Sequence, residues 1–134
     1  MDQNPSRAAE SSKFSAMLLA VADGYVQMGR TTEERENYLR GAVSAWNIGC
    51  LRKSKREQAV RNLVEQFARL NPTVGPEHWA NFERNIRKLI RQKDRLYPHV
   101  KTQILGCTIE LIDGQEQVAV VFSRSLSAQE AKPK

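Results

Sequence analysis

This sequence predicts an α+β fold: a four-helix bundle-like region followed by one C-terminal antiparallel β-hairpin. Two patterns and one physical requirement point to it. Four segments repeat apolar residues at spacings of three and four, the signature of one-sided helices. The stretch from Leu105 to Phe122 instead alternates with a period of two around Asp113-Gly114, a dipeptide suited to a two-residue hairpin turn. A two-stranded ribbon is marginal alone in water, so its apolar face has to be covered, and only the upstream helices can cover it.

Residues 1–12 are polar and read as a flexible N-terminal tail, as do residues 125–134 at the other end. The single domain between them spans residues 13–124. Its first helix is expected over about 13–28, with Phe14, Met17, Leu18, Val21, Tyr25 and Met28 as the apolar stripe and Gly29 as the stop. The second is expected over 31–51, opened by the capping box Thr31 and Glu34, with three glutamates near the positive end of its dipole. It carries one large apolar stripe, Leu39, Val43, Trp46 and Cys50. Beside it runs a strip of mostly small residues, Tyr38, Ala42, Ala45 and Gly49, which marks this as the central helix.

Ser54 and Glu57 repeat the capping-box spacing, so a third helix is expected over 55–70 and ends at Asn71-Pro72. A short rigid linker reaches Pro76, and a fourth helix is expected over 77–97, stopped by Pro98. Trp79, Phe82, Ile86, Leu89 and Leu96 form its apolar side. The hairpin follows over about 103–123. Its expected register pairs Ile112 with Gln115, Ile109 with Val118, Cys107 with Val120 and Leu105 with Phe122. That register turns Leu105, Cys107, Ile109, Leu111, Val118, Val120 and Phe122 inward.

Charge is spread unevenly along the 134 residues. Residues 1–50 carry five Lys/Arg and six Asp/Glu, and residues 51–134 carry sixteen and nine, so the net +6 belongs to the second half. Within that half, Arg84, Arg87, Lys88, Arg91 and Arg95 fall within about 100° of arc on the fourth helix, opposite its apolar side. Arg52, Lys53, Lys55 and Arg56, with Arg61 beyond them, gather at the turn before the third helix. A nearly single-signed face of this kind suits an acidic protein or the phosphates of a nucleic acid. No helix-turn-helix, zinc knuckle or aromatic base-stacking sheet accompanies it, so any nucleic-acid contact is expected to go to the backbone.

Catalytic signatures are missing. Two histidines, His78 and His99, and no CxxC or HxxxH give no set of metal ligands, and the seven glycines form no phosphate cradle. His99 lies near Arg95, a base and an anion clamp in principle, but reads as a loop histidine bonded to a nearby carbonyl. Cys50 and Cys107 read as small apolar residues of a reducing compartment. With no membrane span or signal-peptide core, the sequence reads as cytoplasmic.

The expectation is therefore a non-catalytic binding or accessory module without cofactor. It docks on a larger complex through the hairpin edge or the basic helix, and a hairpin edge also offers a seam for a homodimer. The alternative is a nucleic-acid-binding protein using the basic face of helix 77–97.

Overall fold

A computed structural model describes residues 5–123, with side chains from residue 12 onward. Of the expected tails, residues 1–4 and 125–134 lie outside the described residues, whereas residues 5–12 belong to the first helix. Helix α1 spans Pro5–Val26, α2 Thr32–Gly49, α3 Lys53–Leu70 and α4 Pro76–Leu96, and strands β1 (Ile104–Ile112) and β2 (Gln115–Phe122) form one antiparallel hairpin. The α+β arrangement is as the sequence predicts. The first helix starts earlier than expected, at Pro5, where a first-turn proline costs no hydrogen bond.

α2 is the central element and touches α1, α3, α4 and β1. Its start is the expected cap: Thr31 Oγ1 accepts from the Glu34 amide at 3.1 Å, and Glu34 Oε1 accepts from the Arg30 amide at 2.8 Å. Two of its glycines admit the neighbours. A Cβ on Gly41 would sit 3.2 Å from the Tyr25 hydroxyl, and one on Gly49 would sit 2.8 Å from Cδ of Lys93. Trp46 is buried, donates from Nε1 to the Thr102 carbonyl at 3.0 Å, and meets Phe14 edge-on. Phe14 in turn stacks on Phe122 with ring centres 4.5 Å apart, which ties the end of the hairpin to α1.

The third helix departs from the expected cap. α3 begins at Lys53 with Arg52 as its N-cap, and no side chain caps it. Ser54 lies inside the first turn, and Glu57 reaches across to α4. The break after α2 is secured by Arg56, which donates to the carbonyls of Gly49 at 2.7 Å and Leu51 at 3.1 Å. Those carbonyls are left over at the helix end, and the guanidinium satisfies them.

Asp113 and Gly114 both have positive φ, 53° and 80°, so the turn is the mirror-image type that the Asp-Gly pair suits. The pairs Ile112–Gln115, Ile109–Val118 and Cys107–Val120 form as expected. Leu105 does not pair with Phe122. A bulge at Leu105 lets Ile104 take that place, so Ile104 is buried while Leu105 is 66% exposed. The bulge shifts the alternation at the open end of the hairpin, which period-two reading alone does not reveal. Leu111 is exposed as well, because the hairpin tip extends beyond the helices that cover its middle. Met28, expected on the α1 stripe, lies past the helix end and is 53% exposed; Ala22 and Val26 are buried on α1.

The hairpin edges are not bare. Glu36 of α2 accepts from the Ile109 amide and from Thr108 Oγ1, both at 2.9 Å. The Asn47 carboxamide donates to the Ile104 carbonyl and accepts from the Ile104 amide, both at 2.8 Å. On the β2 side, Ser15 of α1 donates to the Val118 carbonyl at 2.9 Å. Side chains of α1 and α2 thus stand where a third strand would pair, contrary to the expected free edges.

Candidate functional site: the basic crest of the fourth helix

α4 owes its strong sidedness to residue order. Ile86, Leu89, Ile90 and Lys93 are buried toward the rest of the fold, and Arg84, Lys88, Arg91 and Arg95 are all exposed. These four cations recur at i, i+4, i+7 and i+11, so they occupy about 60° of arc and run about 16 Å along the helix axis. Among the described residues none of the four is within salt-bridge distance of a carboxylate. Arg84 donates to Asn81 Oδ1 at 3.2 Å and Arg95 to Gln92 Oε1 at 3.3 Å, which leaves both charges unneutralised.

Arg87 does not belong to this crest. It turns to the flank and donates to both oxygens of Glu57 on α3, at 3.0 and 2.9 Å, and to Glu83 at 2.8 Å. The two carboxylates hold its guanidinium proton more tightly than usual, and Arg87 holds the Glu57 carboxyl below the ordinary carboxylate range. Arg56 leaves the expected docking set for the same reason. It makes a bidentate pair with Asp94 at 2.6 and 3.0 Å while capping α2, and its side chain is 14% exposed. Both arginines are structural rivets between helices; Glu83 is the i,i+4 partner of Arg87, whereas the partners on the other helix, Glu57 and Asp94, lie too far away in sequence to be paired by such reasoning.

The Arg56–Asp94 pair has a second consequence. It brings the start of α3 to the end of α4, so Arg52, Lys53 and Lys55, all exposed, stand near the Arg91–Arg95 end of the crest. The two basic clusters of the sequence therefore share one end of the α3–α4 helix pair. Lys93, on the opposite side of α4, is the cation that charge reading missed. It is fully buried, donates to the Val100 carbonyl at 2.8 Å, and lies 4.9 Å from the centre of the Trp46 ring. Burial pushes its amine below the usual lysine range. A helical wheel carries the signal, since Lys93 falls at the centre of the apolar arc, and Gly49 leaves space for its stem.

A cleft of about 390 Å³ runs along the crest between α1 and α4. α1 contributes Val21, Gly24, Tyr25 and Met28, and α4 contributes Asn85, Lys88, Leu89 and Gln92. Burial and the neighbouring Tyr38 push the Tyr25 phenol up to about 12, so it stays neutral there. A second cleft, about 590 Å³, opens between α1 and the hairpin; Asp23, Glu110 and Glu116 line it, and among the described residues no cation does. Glu116 is already engaged by Arg35, with Nε donating at 2.8 Å, and by Thr32.

Among the described residues no group of three His, Cys, Asp or Glu could hold a metal, and no helix is long and apolar enough to cross a membrane. His78 and His99 are exposed, and Cys50 and Cys107 are half-buried and not joined in a disulfide. The chain matches no protein-family model, no curated protein and no solved structure.

Proposed function

We propose that this chain is a non-catalytic binding module that docks an acidic protein partner through the crest of α4. The observation that carries the reading is the sorting of cations. Arg56 and Arg87 are consumed by carboxylates of the fold, whereas Arg84, Lys88, Arg91 and Arg95 stand in one exposed line without a carboxylate among the described residues. Like charges at i,i+4 cost a helix a few tenths of a kcal/mol per pair, and an oppositely charged partner removes that cost. The hairpin edge is the weaker docking route and the weaker seam for a homodimer, because Glu36, Asn47 and Ser15 occupy its backbone groups.

A second reading, binding to the phosphate backbone of a nucleic acid, is favoured by one further fact. Arg52, Lys53 and Lys55 are exposed at the start of α3, which the Arg56–Asp94 pair ties to the C-terminal end of α4. Fluorescence anisotropy with labelled polyglutamate, single-stranded RNA and duplex DNA at low salt separates the readings. The first predicts that polyglutamate binds at least as tightly as either nucleic acid. It also predicts that changing Lys88, Arg91 and Arg95 together to Glu abolishes binding with little change in the melting temperature. Preference for RNA or DNA supports the second reading, and absence of binding to all three refutes both.

A further inference from the structure

We propose that the cleft between α1 and α4 is an anchor pocket for one large apolar side chain of the acidic partner; this rests on the docking reading of the crest. The cleft and the crest share Lys88, so a segment lying along Arg84, Lys88 and Arg91 has the cleft at its side at that residue. The lining is suited to an apolar group: Val21, Leu89 and the exposed Met28 supply aliphatic and thioether surface, and Tyr25 is held neutral.

Gly24 is the telling residue. It lies in the last turn of α1, two residues before the helix ends at Val26. A Cβ added there meets nothing within 4 Å, so neither close packing nor a left-handed backbone requires it. What the missing side chain leaves is open space in the wall of the cleft. Charge complementarity names the occupant. Lys88 links the cleft to the cationic crest, and Val21, Tyr25, Met28 and Leu89 give it apolar surface beside Asn85 and Gln92, so the fitting ligand is an acidic segment with a single hydrophobic anchor, a common way for interfaces to concentrate binding energy.

The test uses the full chain and two glutamate-rich helical peptides that differ only in one central position, phenylalanine or glutamate. Isothermal titration should give at least about tenfold tighter binding for the phenylalanine peptide, the worth of burying one large apolar side chain. Gly24→Phe fills the cleft from inside and should erase that difference while leaving the all-glutamate peptide bound as before. A near-native melting temperature and circular dichroism spectrum establish that Gly24→Phe folds, and amide shifts at Gly24 on adding peptide to the parent give an independent reading. Equal binding of the two peptides, or an undiminished difference in Gly24→Phe, overturns the anchor pocket and leaves the crest reading standing. Failure of both peptides to bind overturns the crest reading itself. Tighter binding of duplex DNA or RNA than of the phenylalanine peptide overturns the assignment of the partner as an acidic protein.

Discussion

Truncating Asn47 to alanine should cost this fold about a third of its stability. Its carboxamide makes two hydrogen bonds to one residue, donating to the Ile104 carbonyl and accepting from the Ile104 amide, each at 2.8 Å. Ile104 is 2% exposed and sits beside the bulge, where regular pairing is interrupted. Each backbone group that loses its partner costs about 1–3 kcal/mol, at the lower end where water can enter. Asn47 is only half-buried, so the sum for Asn47→Ala is about 2–4 kcal/mol. Against a typical domain stability of about 5–15 kcal/mol this is a large fraction. Urea denaturation should move the midpoint down by about 1–3 M at an unchanged slope. Hydrogen exchange at the Ile104 amide should accelerate further than at Cys107, which belongs to the regular part of the ladder. A loss below about 1 kcal/mol with Ile104 still protected would refute the view that this side chain secures the first residue of β1.

Other perturbations follow from the same contacts. Arg35 and Thr32 hold the Glu116 carboxyl at about 2, below its ordinary 4.5, so its contribution to stability is present above pH 4.5 and lost as pH falls toward 2. Melting temperatures across that range should decline less steeply for Glu116→Gln than for the parent; parallel curves would contradict this. Gly29→Ala should destabilise by about 1–3 kcal/mol in denaturant, since the new Cβ would lie 2.6 Å from the Arg35 backbone nitrogen, whereas Gly24→Ala should stabilise by up to about 1 kcal/mol. Val120→Asp should unfold the protein and Gln117→Asp should be tolerated, with Thr108→Asp between them because Thr108 bonds to Glu36; a thermal melt giving equal losses would refute the register.

The four helices and the hairpin were legible because each is written in local periodicity and each pays little heed to distant residues. Thr31 and Glu34 form the cap they spell, and Asp113-Gly114 forms the turn it spells. What stayed hidden depends on contacts across long sequence separations. Beside the Leu105 bulge Asn47 holds Ile104, and Asn47 lies 57 residues away. Arg56 and Arg87 looked like members of a basic face because their partners on the other helix, Asp94 and Glu57, are 38 and 30 residues distant, although Glu83, four residues before Arg87, was within local reach. Lys93 shows the converse, a cation whose place on the wheel was visible but whose acceptors, the carbonyls at the end of α4 and in the connector, were not. The crest itself was legible as a stripe; that Arg87 is paired with carboxylates while the other four cations of that stripe, among the described residues, are not was hidden.

That division of the arginines into rivets and docking residues is the central claim, and one paired measurement tests it most directly. Arg56→Gln and Arg91→Gln each remove a single charge from the same end of the α3–α4 pair. Stability and polyglutamate affinity are measured for both at a temperature where both remain folded. Arg56→Gln should lose about 2–4 kcal/mol of stability, because it abandons Asp94 and two helix-end carbonyls, while binding polyglutamate as the parent does. Arg91→Gln should leave stability within about 0.5 kcal/mol of the parent and weaken binding severalfold. The opposite pattern, with binding lost in Arg56→Gln and kept in Arg91→Gln, would contradict the account.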